Sequence, residues 1–104
     1  MVSYCLVYIT TGSEAEAEKI GSALVGERLV ACVNLHPIKS IFWWEGRVNQ
    51  ENEVAVLVKT KSGLVDEVIT RVKELHSYEV PCIVSLPIEK GNPDFLEWIG
   101  KSTK

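Results

Sequence analysis

The sequence has few cysteines, and their arrangement fits neither a disulfide framework nor a zinc site. Cys5, Cys32 and Cys82 are odd in number, lie in apolar runs and form no C-x-x-C pair. Thiols of this kind are typical of buried positions in proteins from a reducing compartment. We therefore expect three buried, reduced thiols in a cytoplasmic protein.

The sequence also lacks an excess of basic residues and long hydrophobic runs. Asp and Glu number 14 against 11 Lys and Arg, which gives a net charge of −3. Surfaces that bind nucleic acid or anionic membranes need clustered basic residues, so both partners are disfavoured. No apolar run approaches the roughly 18 residues of a membrane span, and the start MVSYCLVYITTGSE has no basic region or cleavage site of a signal peptide.

Sequence motifs of known catalytic sites are missing as well. The chain contains no G-x-S-x-G, P-loop, H-E-x-x-H or Cys-His nucleophile pattern. The loop Thr10 to Ser13 could bind an anion at a helix N-terminus, but it has no Arg or Lys to cradle a phosphate. We therefore predict that the protein is not an enzyme.

The composition is that of an ordinary globular domain. Hydrophobic residues make up 46% of the 104 residues and charged residues 24%, and neither a linker nor a repeat interrupts the chain. A chain of this length can bury a working core without disulfides or metal. We predict one domain that spans residues 1–104.

Hydrophobic periodicity predicts four strands and three helices. They are strand 2–10, helix 13–26, a strand over 29–45 that Pro37 interrupts, strand 53–61, a helix from Ser62 to about His76, strand 80–88 and a short helix that begins at Asn92. Ser13 and Glu16 form a capping box, and Gly46 can adopt the positive φ of a hairpin turn. Two prolines in strand 80–88 favour an edge position.

The order β-α-β-β-α-β followed by a helix predicts an α+β, ferredoxin-like split βαβ sandwich with an antiparallel sheet. Two helices cover only one face of such a sheet. The segment 31–45 would reach about 50 Å when extended, whereas a domain of this size is about 33 Å across. We therefore expect the tip of the hairpin to overhang the domain.

Trp43 and Trp44 are neighbours in a predicted strand, so their side chains point to opposite faces of the sheet. Burial of one tryptophan is worth on the order of 5 kcal/mol. We therefore expect an oligomer in which sheets pack face to face and hairpin strands pair with neighbouring edges. Glu45, Lys59 and Tyr78 are further candidates for the cleft between subunits, although a lysine at a strand end more often extends into solvent.

Candidate metal ligands are scattered along the sequence. His76 ends the second predicted helix beside a short polar segment, where a histidine either interacts with the helix dipole or binds a metal. Cys32 lies mid-strand, which is more typical of a core thiol, and Glu79 could supply an oxygen ligand. His76, Cys32 and Glu79 are the candidate metal site, and His76 is its expected accessible imidazole.

Four segments together resemble the CutA divalent-cation tolerance proteins over nearly the whole chain: LVYITTGSEAEAEKI, ERLVACVNL, IFWWEG and ELHSYEVPCIVSLPIEKGNPDFLEWI. The most specific pieces are A-C-V-N at 31–34, W-W-E-G at 43–46 and H-x-Y-E-x-P at 76–81. The resemblance implies a homotrimer of ferredoxin-like subunits, similar to the PII signalling proteins. It also implies a link to tolerance of copper and other divalent cations.

The chain departs from the family pattern at two positions. Some members carry a cysteine where this chain has Thr10 and a second histidine where it has Leu75. A soft copper site would then lack two of three ligands. We predict weak, poorly selective binding of copper or another divalent cation, with no metal required for folding.

The alternative to a metal-binding function is a PII-like signalling or anchoring module. Such a module would bind a small ligand or partner protein in its inter-subunit clefts without metal.

Overall fold

A four-stranded antiparallel sheet carries three helices in the computed structural model, which describes residues 2–104. The elements are β1 (Tyr4–Thr11), α1 (Glu14–Gly26), β2 (Cys32–Trp44), β3 (Arg47–Lys61), a 3-10 turn (Ser62–Leu64), α2 (Val65–Leu75), β4 (Ile83–Ile88) and α3 (Pro93–Ser102). The strands lie in the order β2-β3-β1-β4, and β1 and β3 are central. The predicted ferredoxin-like fold with an additional C-terminal helix is confirmed.

The core lies between one face of the sheet and the helices α1 and α2. Alternate residues of the central strands are fully buried there, among them Val7, Ile9 and Val56. The helices contribute the apolar stripes predicted from their periodicity, with Leu24 of α1 and Val72 of α2 fully buried. Each such side chain stabilises the fold by about 1.5–3 kcal/mol relative to exposure.

A close approach between α1 and β2 depends on one glycine. A Cβ atom at Gly21 would lie 2.9 Å from Cγ2 of Val33. The absence of a side chain at this position therefore lets the helix pack directly against the strand.

The hairpin of β2 and β3 is joined by a two-residue turn. Glu45 and Gly46 have φ values of 51° and 77°, and Trp44 pairs with Arg47 across the turn. Two consecutive positive φ values are those of a type I′ turn, whose twist matches a β-hairpin. The positive φ expected at Gly46 is confirmed.

Strand β2 runs without a break through Pro37, which pairs with Val54 of β3, so the predicted interruption is wrong. In the single chain β2 is an edge strand, where proline is tolerated because no further strand needs its N–H group. Strand β3 begins at Arg47 rather than at residue 53. Most of residues 47–53 are polar because they belong to the hairpin arm, which lies beyond the helices and needs no apolar alternation.

The start of α2 also differs from the prediction. Ser62 was expected to cap this helix, but it begins the 3-10 turn, and Leu64 at the N-cap position makes no side-chain capping bond. By contrast, the Asn92 side chain caps α3 by accepting from the N–H group of Asp94, and β4 lies at an edge as its prolines predicted.

The hairpin tip extends beyond the helices, as its length predicted. The molecule measures 44 × 25 × 21 Å, and the longest dimension exceeds the expected width of a domain of this size. Trp43 is 70% exposed and Trp44 42% exposed in the single chain. Across residues 2–104, none of the helices has the length and apolar character needed to cross a membrane.

Candidate functional site

The sheet face opposite the helices is apolar and uncovered in the single chain. Its cross-strand neighbours include Tyr8 on β1, Leu57 on β3 and Val84 on β4. Leu86, also on β4, is 49% exposed. A contiguous apolar surface of this kind is typical of an interaction face rather than of a solvated one.

A groove lies on this same face, where the hairpin meets the loop between α2 and β4. We call it the aromatic groove; it has a volume of about 640 Å³ and is lined by residues that include Phe42, Trp44, Glu51, Glu53, Tyr78 and Glu79. Three of the predicted site residues, Trp44, Tyr78 and Glu79, thus lie together. Among residues 2–104, no lysine or arginine lines the groove.

Glu53 is the most buried carboxylate of the groove, with 7% of its surface exposed. The Tyr78 hydroxyl donates a hydrogen bond of 2.7 Å to its Oε2 atom. Burial and this hydrogen bond to a carboxylate raise the pKa of Tyr78 to about 12. Sequence reasoning missed Glu53; the signal was a charged residue that shares a strand face with the apolar Ala55 and Leu57.

His76 lies beneath the groove, and its side chain is 0% exposed. Its Nε2 atom is 2.7 Å from the Thr10 carbonyl oxygen, and its Nδ1 atom accepts from the N–H group of Tyr78 at 3.0 Å. The ring centroids of His76 and Tyr78 are 4.8 Å apart. Since Nε2 donates and Nδ1 accepts, both ring nitrogens are engaged. The expectation of an accessible imidazole is wrong, because the residue after α2 turns inward and the Tyr78 ring packs against it.

Glu16 fixes the loop that carries these residues. Its carboxylate accepts from the N–H groups of Gly12 at 3.1 Å and Ser77 at 2.8 Å, and it lies 3.9 Å from Nδ1 of His76. Burial alone would raise the pKa of Glu16, but the hydrogen bonds from Ser77 and Gly12 outweigh it, so its pKa is lowered. The Ser13 hydroxyl accepts from the N–H group of Glu16 at 3.1 Å, as a capping residue should.

The lowered pKa of Glu16 predicts a loss of stability in acid. A carboxylate whose pKa is lower in the folded state contributes stability that is present above its unfolded pKa of about 4.3, and that is lost as the pH falls through the folded value. Glu16→Gln should therefore lower the free energy of unfolding by about 1–2 kcal/mol at pH 7 and by less at pH 3, measured by urea denaturation. Glu18→Gln, an exposed neighbour on the same helix, is the control; equal effects of both variants at both pH values would contradict the assignment.

Cys32 and Lys59 lie away from the groove. They are paired residues of β2 and β3, and the Lys59 ammonium donates to the Asn34 side-chain oxygen within the same chain. Glu45 lies in the hairpin turn, where it accepts a hydrogen bond of 2.9 Å from Nε1 of Trp44. No group of three or more His, Cys, Asp or Glu side chains within the described range 2–104 could hold a metal ion, so His76, Cys32 and Glu79 are not brought together as a ligand set.

The cysteines differ from one another in exposure. Cys5 is buried, and its burial raises the pKa of its thiol. Cys32 is half-buried and Cys82 is exposed in the single chain, so the expectation of three buried thiols is wrong for Cys82. The reason is its place in the segment before β4, at the rim of the groove and outside the packed layers.

The chain is an α+β protein with a ferredoxin-like sheet, one uncovered apolar sheet face and a groove at the base of an extended hairpin. Residues 5–102 match the family model described as CutA1 divalent ion tolerance protein. The chain therefore belongs to the CutA family of divalent-cation tolerance proteins, and the resemblance seen in its motifs is confirmed.

Individual relatives match over nearly their full length. The divalent-cation tolerance protein CutA of Archaeoglobus fulgidus is 48% identical over 98 residues, which cover 94% of this chain and 96% of that protein. The Thermus thermophilus protein of the same name is 46% identical over 99 residues, with the same coverage of 94% and 96%. A solved structure of the Archaeoglobus protein, described as the periplasmic divalent cation tolerance protein CutA, has a TM-score of 0.95 at 46% identity and covers 97% of this chain and 99% of that one.

Proposed function

We propose that this protein acts in divalent-cation tolerance as a homotrimer, and that the whole chain, 1–104, is a single domain within it. The observation that supports assembly is the uncovered apolar surface, and the number of three subunits is what the resemblance to the CutA family implies. Trp43 and Trp44 on the hairpin tip and Leu86 on β4 are large apolar side chains that a lone subunit leaves in water. Two free sheet edges, β2 and β4, allow strand pairing between subunits.

The proposed role is not enzymatic. The family is described by cation tolerance rather than by a reaction. The Tyr78 hydroxyl donates to Glu53, and its raised pKa makes the tyrosinate harder to form than that of a free tyrosine, so it is a poor nucleophile. Both features support a binding role for the groove.

The side chains present do not fit a tight site for a resident copper ion. Copper favours thiolate or imidazole ligands, and the His76 ring is enclosed with both nitrogens in hydrogen bonds. A metal at His76 would have to displace one of these bonds. We therefore propose that ion binding is weak and poorly selective, and that carboxylates at the surface, Glu79 among them, provide it.

Calorimetric titration of the reduced protein with Cu(I), Cu(II) and Zn(II) tests this proposal. We expect dissociation constants no tighter than about 10⁻⁴ M, in the range of weak carboxylate sites. Glu79→Gln should weaken the binding more than Glu89→Gln, a matched loss of charge at the far end of β4. Stoichiometric copper binding that survives Glu79→Gln would contradict the proposal and would indicate a site at Cys32 or between subunits.

A second candidate function is that of a PII-like trimeric module that binds a small ligand without metal. The aromatic groove favours this candidate, because it combines several carboxylates with aromatic walls in a volume large enough for an organic molecule. Phe42 and Trp44 belong to the hairpin proposed to lie between subunits, so the groove would border the inter-subunit cleft.

We also propose a cytoplasmic location, which the three free cysteines support. The description of the Archaeoglobus relative as periplasmic does not fit this location. Cell fractionation with an antibody to the native protein decides between the two compartments.

A further inference from the structure

Lys59 places a positive charge within the uncovered apolar face of the sheet. It pairs in register with Leu6 of β1, and Leu6 pairs on its other side with Leu86 of β4, so the lysine stands in one row with two leucines. Its ammonium donates to the side-chain oxygen of Asn34, and none of the ion pairs among residues 2–104 includes it. A subunit that packs on this face would therefore remove water from an ammonium group that has no carboxylate partner in its own chain.

Negative charges lie on the same face, nearer the hairpin. Glu51 and Glu53 follow the same alternation along β3 as Lys59, and Glu53 is over nine-tenths buried. The Tyr78 hydroxyl donates to Oε2 of Glu53, but a neutral hydroxyl does not balance the charge of the carboxylate. Within the described range 2–104, neither carboxylate takes part in an ion pair. Assembly through this face would thus desolvate charges of both signs.

The opposite charges cannot meet within one chain. Lys59 lies six positions beyond Glu53 and eight beyond Glu51 on an unbroken strand, so the Cα atoms are about 20 Å and about 27 Å apart. No pair of side chains spans such a distance along a rigid sheet. In a head-to-tail assembly, however, one part of the face on one copy contacts a different part of it on the next copy.

From this arrangement we propose that Lys59 of each subunit pairs with Glu51 and Glu53 of a neighbouring subunit, so that the aromatic groove is complete only in the assembly. Every subunit then supplies one ammonium group and receives one, which leaves no charge of this face buried without a partner. The inference rests on the proposed assembly and names the contact that fixes its direction.

The positions of the other cations on this side of β3 favour Lys59. Arg47 follows the hairpin turn and is exposed, and Lys61 is the last residue of the strand. Charged groups at such ends remain in water when the face is covered. Lys59 lies between them among apolar neighbours, where complementary charge across an interface contributes most to specificity.

Charge reversal tests the pairing, and light scattering coupled to size exclusion over a urea series measures the association constant. Lys59→Glu and Glu51→Lys should each lower that constant about 100-fold or more, because like charges then face each other across the interface. The combined variant Lys59→Glu with Glu51→Lys should return to within about tenfold of the wild type. Lys61→Glu with Glu51→Lys, which has the same net charge, is the control and should stay as weak as Glu51→Lys alone.

A milder pair of substitutions keeps the test valid if charge reversal impairs folding. Lys59→Met and Glu51→Gln should be non-additive in a double-mutant cycle, with the second change at least about threefold less harmful once the first is present. Additive effects would overturn the pairing, as would equal rescue by Lys61→Glu.

The mass of the wild type separates this inference from the assembly on which it rests. A wild-type protein of three chains whose combined variant is not rescued refutes the pairing alone and leaves the trimer standing. A monomeric wild type refutes the assembly, and the pairing with it.

Discussion

Leu86→Lys should convert the proposed trimer into monomers at micromolar concentration. Leu86 lies on the uncovered face of β4 and is already 49% exposed in the single chain, so a lysine there does not disturb the fold of one subunit. Against another subunit, however, its ammonium would have to be buried without a partner, which costs several kcal/mol or about 100-fold or more in the association constant. Light scattering coupled to size exclusion measures the mass directly.

Val25→Lys is the matched control for this experiment. Val25 is an exposed aliphatic residue near the C-terminal end of α1, on the opposite side of the sheet. The same substitution there should leave the mass at that of three chains.

Trp43→Ala and Trp44→Ala should each weaken the assembly by about 3–5 kcal/mol, with the larger effect for the ring buried at the interface. A wild-type protein that is monomeric in dilute buffer would contradict the proposed trimer.

His76→Ala should lower the free energy of unfolding by about 3 kcal/mol. The substitution removes an enclosed ring that accepts from the Tyr78 N–H group and contacts the Thr10 carbonyl oxygen, and it leaves both backbone groups without their partner. Lys19→Ala, on the exposed surface of α1 and on the opposite side of the sheet, should change the same quantity by less than about 0.5 kcal/mol.

The measurement is urea denaturation at one fixed protein concentration, because the stability of an oligomer depends on concentration. If His76→Ala reduced ion binding without any loss of stability, the imidazole would be a ligand rather than a support for the loop. A loss of stability with unchanged ion binding would establish the supporting role.

Local patterns in the sequence predicted much of the fold. Val7 and Ile9 alternate into the core, Ser13 caps α1 and Asn92 caps α3, because each of these effects acts between residues close in sequence. The polar arm of β3 escaped prediction because its pairing with β2, rather than burial, makes it a strand.

The candidate site was only partly predictable for a related reason. The bond from Ser77 to Glu16 joins residues 61 positions apart, and the bond from Tyr78 to Glu53 joins residues 25 positions apart. No local pattern encodes such contacts. The H-x-Y-E-x-P motif drew attention to His76 and Tyr78, but whether the imidazole faced solvent or the interior depended on the packing of the Tyr78 ring.

The two free edges of the sheet have a consequence for how copies of this chain accumulate in a cell. A strand that pairs head to tail with the next copy either returns to its starting point or continues without end. Strand β2 lies at one edge of the sheet and β4 at the other. Each added copy therefore has a free edge strand with which a further copy can pair. A small closed ring has no free edge strand at which another copy could pair. A pairing angle that does not close the ring would instead produce filaments. The angle between successive copies therefore decides between a closed ring and a filament, independently of any ligand that the protein binds.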